Sequence, residues 1–428
     1  MAACPYDAIF INPEDHSAEK CNFCAHRIDV GLEPACVVVC PTQAILIGDM
    51  NDQTSYVAQI VNREAVNVRR PEKETLPKLF YKGAHQATLD PLAARRPGAG
   101  LFMWSEQRES PEHVVSGNPT YGNTSAAALL SYDVAHSIPW DWRVSLYTWT
   151  KGIASGVYLV AALLVLFGFF PADGGLWLWF TPVVSGAFLG LTGLLLIWDL
   201  EHPWRFYMIF TRAQWKSWLV KGAFIIAGYS AVLALHFIAT LIGIKLLQSW
   251  LMIAGIPLSA MTAVYTAYLF AQAKARDLWQ NPLLPPHLLI QALLLGSAQL
   301  LLLSIWLEGT FIDIVSRPIV SVRPETRALL WLFAISNLLH LLMIAGEFSL
   351  THATAHARLA VWEMMKGRYQ YAFWIGLILS ILGAGLSWLA IIDLVSVSIG
   401  VGGAVLAMFG LMLYEHAYVQ AGQSVPLA

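Results

Sequence analysis

Long apolar runs separated by short polar breaks dominate the chain after residue 146. Runs of about 20 apolar residues recur there, and each could cross roughly 30 Å of hydrocarbon as a helix. Tryptophans concentrate near the ends of these runs, as is typical of membrane interfaces. The pattern predicts an eight-helix transmembrane bundle, with spans at 148–170, 177–198, 218–243, 250–272, 287–307, 328–348, 371–392 and 399–418.

The first 146 residues follow no such pattern. They contain all five cysteines and carry 12 basic and 17 acidic residues, whereas the remaining 282 positions carry 14 and 11. Residues 49–142 are polar and show no sustained period, which favours a docking or wrapping segment. We predict a cysteine module at 1–48, a docking segment and linker at 49–146, the transmembrane domain at 147–420 and a tail at 421–428.

Charge and small residues add further expectations. The net charge of −2 argues against a nucleic-acid partner. Basic residues number nine in the loops on the N-terminal side and four in the opposite loops, which favours a cytoplasmic N-terminal side. Glycines at helical spacing, Gly152 with Gly156 and Gly186 with Gly190, predict close helix packing in lipid.

The cysteine spacing indicates a soft-metal centre. It runs Cys21-x2-Cys24-x11-Cys36-x3-Cys40-Pro, with Cys4-Pro upstream. Cysteine followed by proline is typical of ferredoxins that hold cubane clusters. A zinc ribbon is the alternative, because two cysteine pairs also suit tetrahedral zinc. The two Cys-Pro steps and the additional Cys4 favour iron and sulfur.

These residues resemble a known family. The segments that carry the likeness are Cys4-Pro-Tyr-Asp-Ala-Ile, Lys20-Cys-Asn-Phe-Cys-Ala-His-Arg, Gly31-Leu-Glu-Pro-Ala-Cys-Val-Val-Val-Cys-Pro and Arg70-Pro-Glu-Lys-Glu-Thr-Leu-Pro. They are similar to the multi-cluster ferredoxin subunit of molybdopterin oxidoreductases. The resemblance implies a small α+β ferredoxin-like fragment, 4Fe-4S clusters held by the five cysteines, and a molybdopterin-containing catalytic subunit as partner, with a further iron–sulfur subunit as a second candidate.

The chain also departs from the family pattern in its number of cysteine motifs. The family subunit has four cysteine motifs, and this chain begins inside the third. The last cysteine of each motif ligates the neighbouring cluster in ferredoxins of this type. Five cysteines therefore close at most one cubane, through Cys21, Cys24, Cys36 and Cys40 and only if their loop rearranges. Either the true start lies upstream of Met1 or another chain supplies the missing half, and we favour the first.

The transmembrane half resembles a second family. Trp142-Arg-Val-Ser-Leu-Tyr-Thr-Trp-Thr-Lys-Gly and Trp198-Asp-Leu-Glu-His-Pro-Trp-Arg-Phe-Tyr are similar to the NrfD-type membrane subunit of polysulfide reductase. The resemblance covers roughly residues 140–420 and implies an anchor that binds a quinone, either menaquinone or ubiquinone, and contains no haem. It implies a multi-pass protein of a prokaryotic inner membrane that serves anaerobic respiration.

Ionisable and phenolic residues on the N-terminal side form the predicted quinone site. Intramembrane ionisable groups are costly, so they are candidates for function. A quinone headgroup needs hydrogen-bond donors and a proton source. The candidates are Lys151, Asp199, His202, Arg205, Lys221, Tyr265 and Tyr268. The alternatives are that Asp199 pairs with Arg205, that the lysines extend to the interface, and that the tyrosines only pack.

A second set of residues predicts a proton path. His340 and Glu347 are seven residues apart on one helix face, and His236 lies in the middle of the third span. Such a column could carry protons, while a structural His–Glu hydrogen bond explains the same pattern.

The expected function is electron transfer between the catalytic partner and the membrane quinone pool, and we expect this chain not to convert the partner's substrate. The alternative is a proton-translocating module of a larger quinone-linked respiratory complex. A solute transporter is a weaker third hypothesis, because it leaves the cysteine module without a role.

Overall fold

The computed structural model describes residues 4, 6, 8–11, 18–85, 89, 140–274, 276–308, 323–349, 352 and 354–425. The chain divides into two compact units. The first comprises Met1–Ser137 with Arg212–Ser217, and the second comprises Ile138–Thr211 with Trp218–Ala428. Much of the predicted docking segment, from residue 90 to 139, lies outside the described residues, so that prediction stays untested there.

The first unit contains short elements joined by turns. Strands β1 (Phe10–Ile11) and β2 (Ala18–Glu19) pair antiparallel, and three short helices follow, α1 (Ala25–Ile28), α2 (Ala35–Val39) and α3 (Tyr56–Arg63). Cys24 has a φ of 53° and Gly31 a φ of 77°, so left-handed residues precede and follow α1. Glycine adopts this conformation without steric cost, which explains its place at the turn after the helix. The small α+β module predicted from the sequence is therefore present.

Polar contacts hold the turns of the first unit together. The Arg27 guanidinium Nε donates to the Glu33 carbonyl oxygen at 2.8 Å. The Lys216 ammonium lies 2.8 Å from the Glu33 carboxylate, and the Gln214 backbone N–H donates to the Pro41 carbonyl at 3.1 Å. The segment Arg212–Ser217 is thus part of this unit, although it is distant in sequence.

The second unit is helical. Among the described residues, eight of its helices are long and apolar enough to span a membrane, as the sequence predicts. In chain order its helices are α4 (Trp142–Leu166), α5 (Thr181–Trp198, continuing a π-helical turn at Leu176–Phe180), α6 (Met208–Thr211), α7 (Trp218–Ile242), α8 (Lys245–Ala271), α9 (Leu284–Glu308), α10 (Pro324–Ser349), α11 (Ala355–Met365), α12 (Gln370–Ile391) and α13 (Val397–Ser424).

Local chemistry sets the ends of the first spanning helix. The Asp141 carboxylate accepts the Arg143 backbone N–H at 2.8 Å and so caps α4. Gly168, with a φ of 77°, follows the last turn of α4, where a left-handed glycine ends the helix. The last helix, α13, extends to Ser424, beyond the predicted 418, and near its end the side chain of Gln420 donates to the Trp140 carbonyl at 3.1 Å.

Helix α4 is the most buried of the eight spanning helices. About 78% of its apolar window is buried inside the bundle, against 28% for α7. It packs against α5, α8, α9 and α13. Gly156 of α4 and Gly296 of α9 meet backbone to backbone, because a Cβ added at either position would overlap the main chain of the other helix. Small residues of this kind permit close helix contact in membranes.

Glycines also bring α12 and α13 together. A Cβ at Gly376 would lie 2.7 Å from the Gly410 carbonyl oxygen, and one at Gly403 would lie 3.0 Å from the Gly383 carbonyl oxygen. The packing predicted for Gly186 and Gly190 is wrong, because no described atom lies within 4 Å of a Cβ placed at either position. Their shared face of α5 does not meet a neighbouring helix there.

We predict that Gly156→Ala destabilises the bundle, whereas Gly186→Ala does not. The methyl group at 156 would force α4 and α9 apart, at a cost of about 1–3 kcal/mol or more in the free energy of unfolding. The methyl group at 186 meets open space, and alanine is the better helix former. Unfolding of the full chain in detergent micelles measures both variants. Equal stability of the two variants would contradict the packing described above.

Candidate functional site

The five cysteines are thiols of differing exposure. Cys40 is buried, Cys4 and Cys24 are half-buried, and Cys21 and Cys36 are exposed. The Cys40 sulfur accepts the Ala44 backbone N–H at 3.1 Å. Such N–H donors stabilise thiolates, which are the form of cysteine that binds metals.

The donor chemistry fits an iron–sulfur cluster, but the geometry does not close one. Among the described residues, no three cysteine, histidine, aspartate or glutamate side chains are placed to hold one metal ion. The assignment of the cysteines as cluster ligands stays a prediction, since cysteines of such motifs share ligands between clusters. Metal binding is coupled to folding, so the thiolates are expected to converge only when a cluster is bound.

Lys151 and Tyr265 come together inside the helical unit. The Lys151 ammonium is almost fully buried and donates to the Ala263 carbonyl at 3.0 Å and to the Thr266 hydroxyl at 2.6 Å. It also lies 5.1 Å from the centre of the Tyr265 ring. Gly222 of α7 leaves room for that ring, since a Cβ there would overlap it. Helices α4, α7 and α8 therefore surround a buried ammonium group with an adjacent phenol.

Lys221 and Tyr268 belong to a separate group nearer the surface. The Lys221 ammonium lies 4.6 Å from the centre of the Trp218 ring, and Trp218 stacks on Tyr268 at 4.4 Å. Tyr268 is 41% exposed. A lysine over an aromatic face is an ordinary cation–π contact. This set presents an aromatic and cationic face at the start of α7, beside the Gly222 position that contacts Tyr265.

The three quinone-site candidates that follow α5 do not join the Lys151 group. Asp199 lies 3.6 Å from the Arg143 guanidinium, so its partner is Arg143 rather than Arg205. Burial raises the pKa of the Asp199 carboxyl, and the positive charge of Arg143 opposes that shift. His202 and Arg205 are exposed. The structure therefore does not bring these three residues together with Lys151, and their predicted role in quinone binding stays a prediction.

His236 occupies a different part of the unit from the other proton-path candidates. Its Nδ1 lies 3.3 Å from the Tyr158 hydroxyl, and its ring packs against Trp177 at 4.5 Å. No contact joins it to His340 or Glu347 among the described residues. The predicted column is thus two clusters rather than one.

His340 and Glu347 share a cluster that is larger than the sequence predicted. The His287 Nε2 lies 2.8 Å from the His340 Nδ1. The Tyr414 hydroxyl donates to the Glu347 carboxylate at 3.1 Å, and its ring lies 5.4 Å from that of His340. The Asn281 amide donates to the other oxygen of Glu347 at 2.9 Å.

Sequence reasoning missed His287, Tyr414 and Glu415, all of which are buried. Glu415 accepts a hydrogen bond from the Thr148 hydroxyl at 2.9 Å. His287 and Glu415 lie inside predicted spans, so the rule that intramembrane ionisable residues are functional candidates could have identified both. Tyr414 carries no such signal, because membrane tyrosines are common.

Two cavities lie between the described helices. The smaller, about 20 Å³, is lined by residues of α4, α9 and α13 that include Thr148, His287 and Glu415. The larger, about 280 Å³, is at the opposite end of the bundle, where Trp177, Arg323 and Thr326 are among its lining residues. The larger volume is near that of a small-ligand pocket, and it lies far from Lys151 along α4.

Comparison with known proteins gives a family match in each of the two units. Residues 131–426 match the family described as Polysulphide reductase, NrfD, and residues 1–50 match the 4Fe-4S dicluster domain. The NrfD match covers more than half of the chain. The chain belongs to the NrfD family. Its NrfD domain is joined to a 4Fe-4S ferredoxin domain in one polypeptide, which confirms the fusion that the sequence predicts.

Curated relatives match a shorter part of the chain. A tetrathionate reductase subunit of Salmonella typhimurium is 45% identical over 108 residues, which are 25% of this chain and 42% of the relative. A polysulfide reductase chain of Wolinella succinogenes is 42% identical over 81 residues, which are 19% of this chain and 42% of the relative. The chain thus spans about two fifths of the length of these relatives, both of which are named as parts of reductases.

We predict that Tyr414→Phe destabilises the NrfD domain. It removes a hydroxyl donor from the buried Glu347 carboxylate, at a cost of about 1–3 kcal/mol in the free energy of unfolding. Tyr371→Phe is the matched control, because Tyr371 is 75% exposed and should lose almost nothing. Unfolding of both variants in mixed micelles makes the comparison. Equal losses would show that the Tyr414–Glu347 hydrogen bond contributes no stability.

Proposed function

We propose that this chain transfers electrons between a molybdopterin-containing catalytic subunit and the membrane quinone pool. The observation that carries the proposal is the presence of a 4Fe-4S domain and an NrfD domain in one chain. The reductase components among its relatives support it. The substrate-converting chemistry then belongs to the separate catalytic subunit.

The ferredoxin domain supplies the thiolates in this proposal. Cys21, Cys24 and Cys36 are ligands of one cluster, and Cys4 and Cys40 are ligands of neighbouring clusters, as in ferredoxins of this type. An iron–sulfur cluster supplies one-electron transfer when bound. The N–H of Ala44 at the Cys40 sulfur stabilises the thiolate form needed for binding.

The quinone headgroup is proposed to bind beside Lys151. Reduction of a quinone places negative charge on its oxygens, and a buried ammonium with a neighbouring phenol stabilises that charge. Lys151, Thr266 and Tyr265 offer three polar groups within one helix interface. A second aromatic and cationic face lies at the edge of that interface and is formed by Lys221, Trp218 and Tyr268. The quinone ring can stack on this face.

Membrane placement follows from the NrfD domain and its eight apolar helices. We propose that the protein lies in the inner membrane of a prokaryote. The excess of basic residues in the loops on the N-terminal side supports a cytoplasmic ferredoxin domain.

We predict that Lys151→Met and Tyr265→Phe weaken quinone binding. Loss of a hydrogen bond to a charged group costs about 1.5–3 kcal/mol, which is roughly tenfold or more in the dissociation constant. The full chain in lipid nanodiscs is titrated with a short-tailed quinone, and quenching of tryptophan fluorescence reports binding. Lys245→Met is the matched control, because Lys245 is an exposed lysine at the other end of α8 and should leave affinity unchanged.

Arg323→Ala tests the other end of the bundle in the same titration. Arg323 lines the larger cavity. If Arg323→Ala weakens binding while Lys151→Met and Tyr265→Phe do not, the quinone binds in that cavity and the proposed site is wrong. If no variant alters binding of a quinone that does quench the fluorescence, the NrfD domain binds it elsewhere.

A further inference from the structure

A pair of buried histidines lies outside the proposed quinone site. His287 of α9 and His340 of α10 are at most 2% exposed, and their facing ring nitrogens are 2.8 Å apart. A hydrogen bond between two imidazoles needs one N–H donor and one bare nitrogen acceptor. The pair therefore shares one proton at this contact, and that proton can sit on either ring.

One side of the pair connects to a carboxylate. The Tyr414 ring lies within 5.7 Å of the His287 ring and 5.4 Å of the His340 ring, and its hydroxyl donates to Glu347. Glu347 also accepts from Asn281, which precedes α9. Glu347 is 4% exposed. The cluster thus extends toward the end of the bundle at which α9 begins.

The pair also borders the small cavity, through His287. Its volume is about 20 Å³, and its largely apolar lining includes the polar residues His287, Gln291, Thr148 and Glu415 together with Tyr414 and Tyr418. The Oε1 atom of Gln291 is buried and has no hydrogen-bond partner among the described residues. A cavity of ≳10–15 Å³ holds one water when a few polar groups line it. Gln291, Glu415 and His287 supply those groups.

Glu415 lines the cavity and is connected to a second ionisable residue, Lys151. Glu415 accepts from Thr148, and Lys151 follows Thr148 by three residues on the same face of α4. Lys151 is held by Thr266 and the Ala263 carbonyl. Glu415 is thus linked through Thr148 to the turn of α4 that carries Lys151.

We propose that the cavity binds one water molecule that joins Glu415 to the His287–His340 pair, forming a buried proton relay. The Glu415 carboxyl gives its proton to the water, and the water gives one to His287. The proton shared between the rings then moves fully onto His340. Glu415 is left as a carboxylate beside Lys151, so the histidine pair gains the charge that Glu415 loses. The reverse steps restore the starting state, and no electron moves.

The relay goes beyond the proposed function and does not require quinone or a cluster to be bound. Its test therefore measures proton exchange directly. The full chain is labelled with ¹⁵N-histidine and placed in lipid nanodiscs, and NMR follows exchange of the imidazole N–H protons with solvent. His340→Gln identifies the resonances of the pair by their loss.

Gln291→Leu is the decisive variant. It keeps the side-chain volume near that of glutamine but removes a polar partner of the water, so exchange at the histidine pair should slow by about tenfold or more, the rate equivalent of one lost bridging hydrogen bond. Ser297→Ala is the matched control on the same helix, because the Ser297 hydroxyl donates to backbone carbonyls of α9 itself. His236, in its separate cluster with Tyr158, serves as the internal reference.

Glu415→Gln provides a second variant that preserves side-chain shape but has no acidic proton to give. It should slow exchange at the pair while leaving His236 unchanged, and it decides the matter if Gln291→Leu does not assemble. The proposal is overturned if exchange at the pair is the same in the wild type and in the assembled variants. It is also overturned if the variants slow exchange at His236 to the same degree, because that result indicates a general change in stability.

Discussion

The cost of placing polar groups in hydrocarbon governs the NrfD domain. A bilayer core offers no water to an ammonium, carboxylate or imidazole, so each must find its partners inside the bundle. Helix α4 provides many of them, because it is buried along its length and carries Thr148, Lys151 and Tyr158. Contact of Gly156 with Gly296 brings the backbones of α4 and α9 together.

The same constraint distinguishes the buried candidates for the quinone site from the exposed ones. Lys151 is buried and donates to Thr266 and a backbone carbonyl, which leaves its third N–H for a ligand, whereas His202 is exposed. A buried ammonium in a water-poor site stabilises negative charge far more strongly than an exposed histidine can. This difference is why the proposed quinone site centres on α4 and α8 rather than on the loop after α5.

Sequence reasoning predicted the features that depend on local pattern. The eight spans are confirmed, most of their ends lying within a few residues of those predicted, because apolar length is read directly from the chain. The sequence pattern did not reveal which glycines contact a neighbouring helix. Gly156 does, whereas Gly186 does not. Periodicity places a residue on a face, and only the packing shows what covers that face.

Tertiary pairing explains the remaining differences. The contact of His287 with His340 joins two helices, and so does the contact of Glu415 with Thr148, so no single segment reveals either one. The cysteines show a related limit, since their spacing identifies the donor type but does not say which thiolates share a cluster.

Transfer of electrons from the iron–sulfur cluster to quinone within the full chain is the most direct test of the account. The cluster-loaded chain in nanodiscs is reduced chemically, quinone is added, and cluster reoxidation is followed by its absorbance. We expect reoxidation whose rate saturates with quinone and is slowed by Lys151→Met at unchanged cluster content. Quinone that binds to the chain without reoxidising the cluster would contradict it.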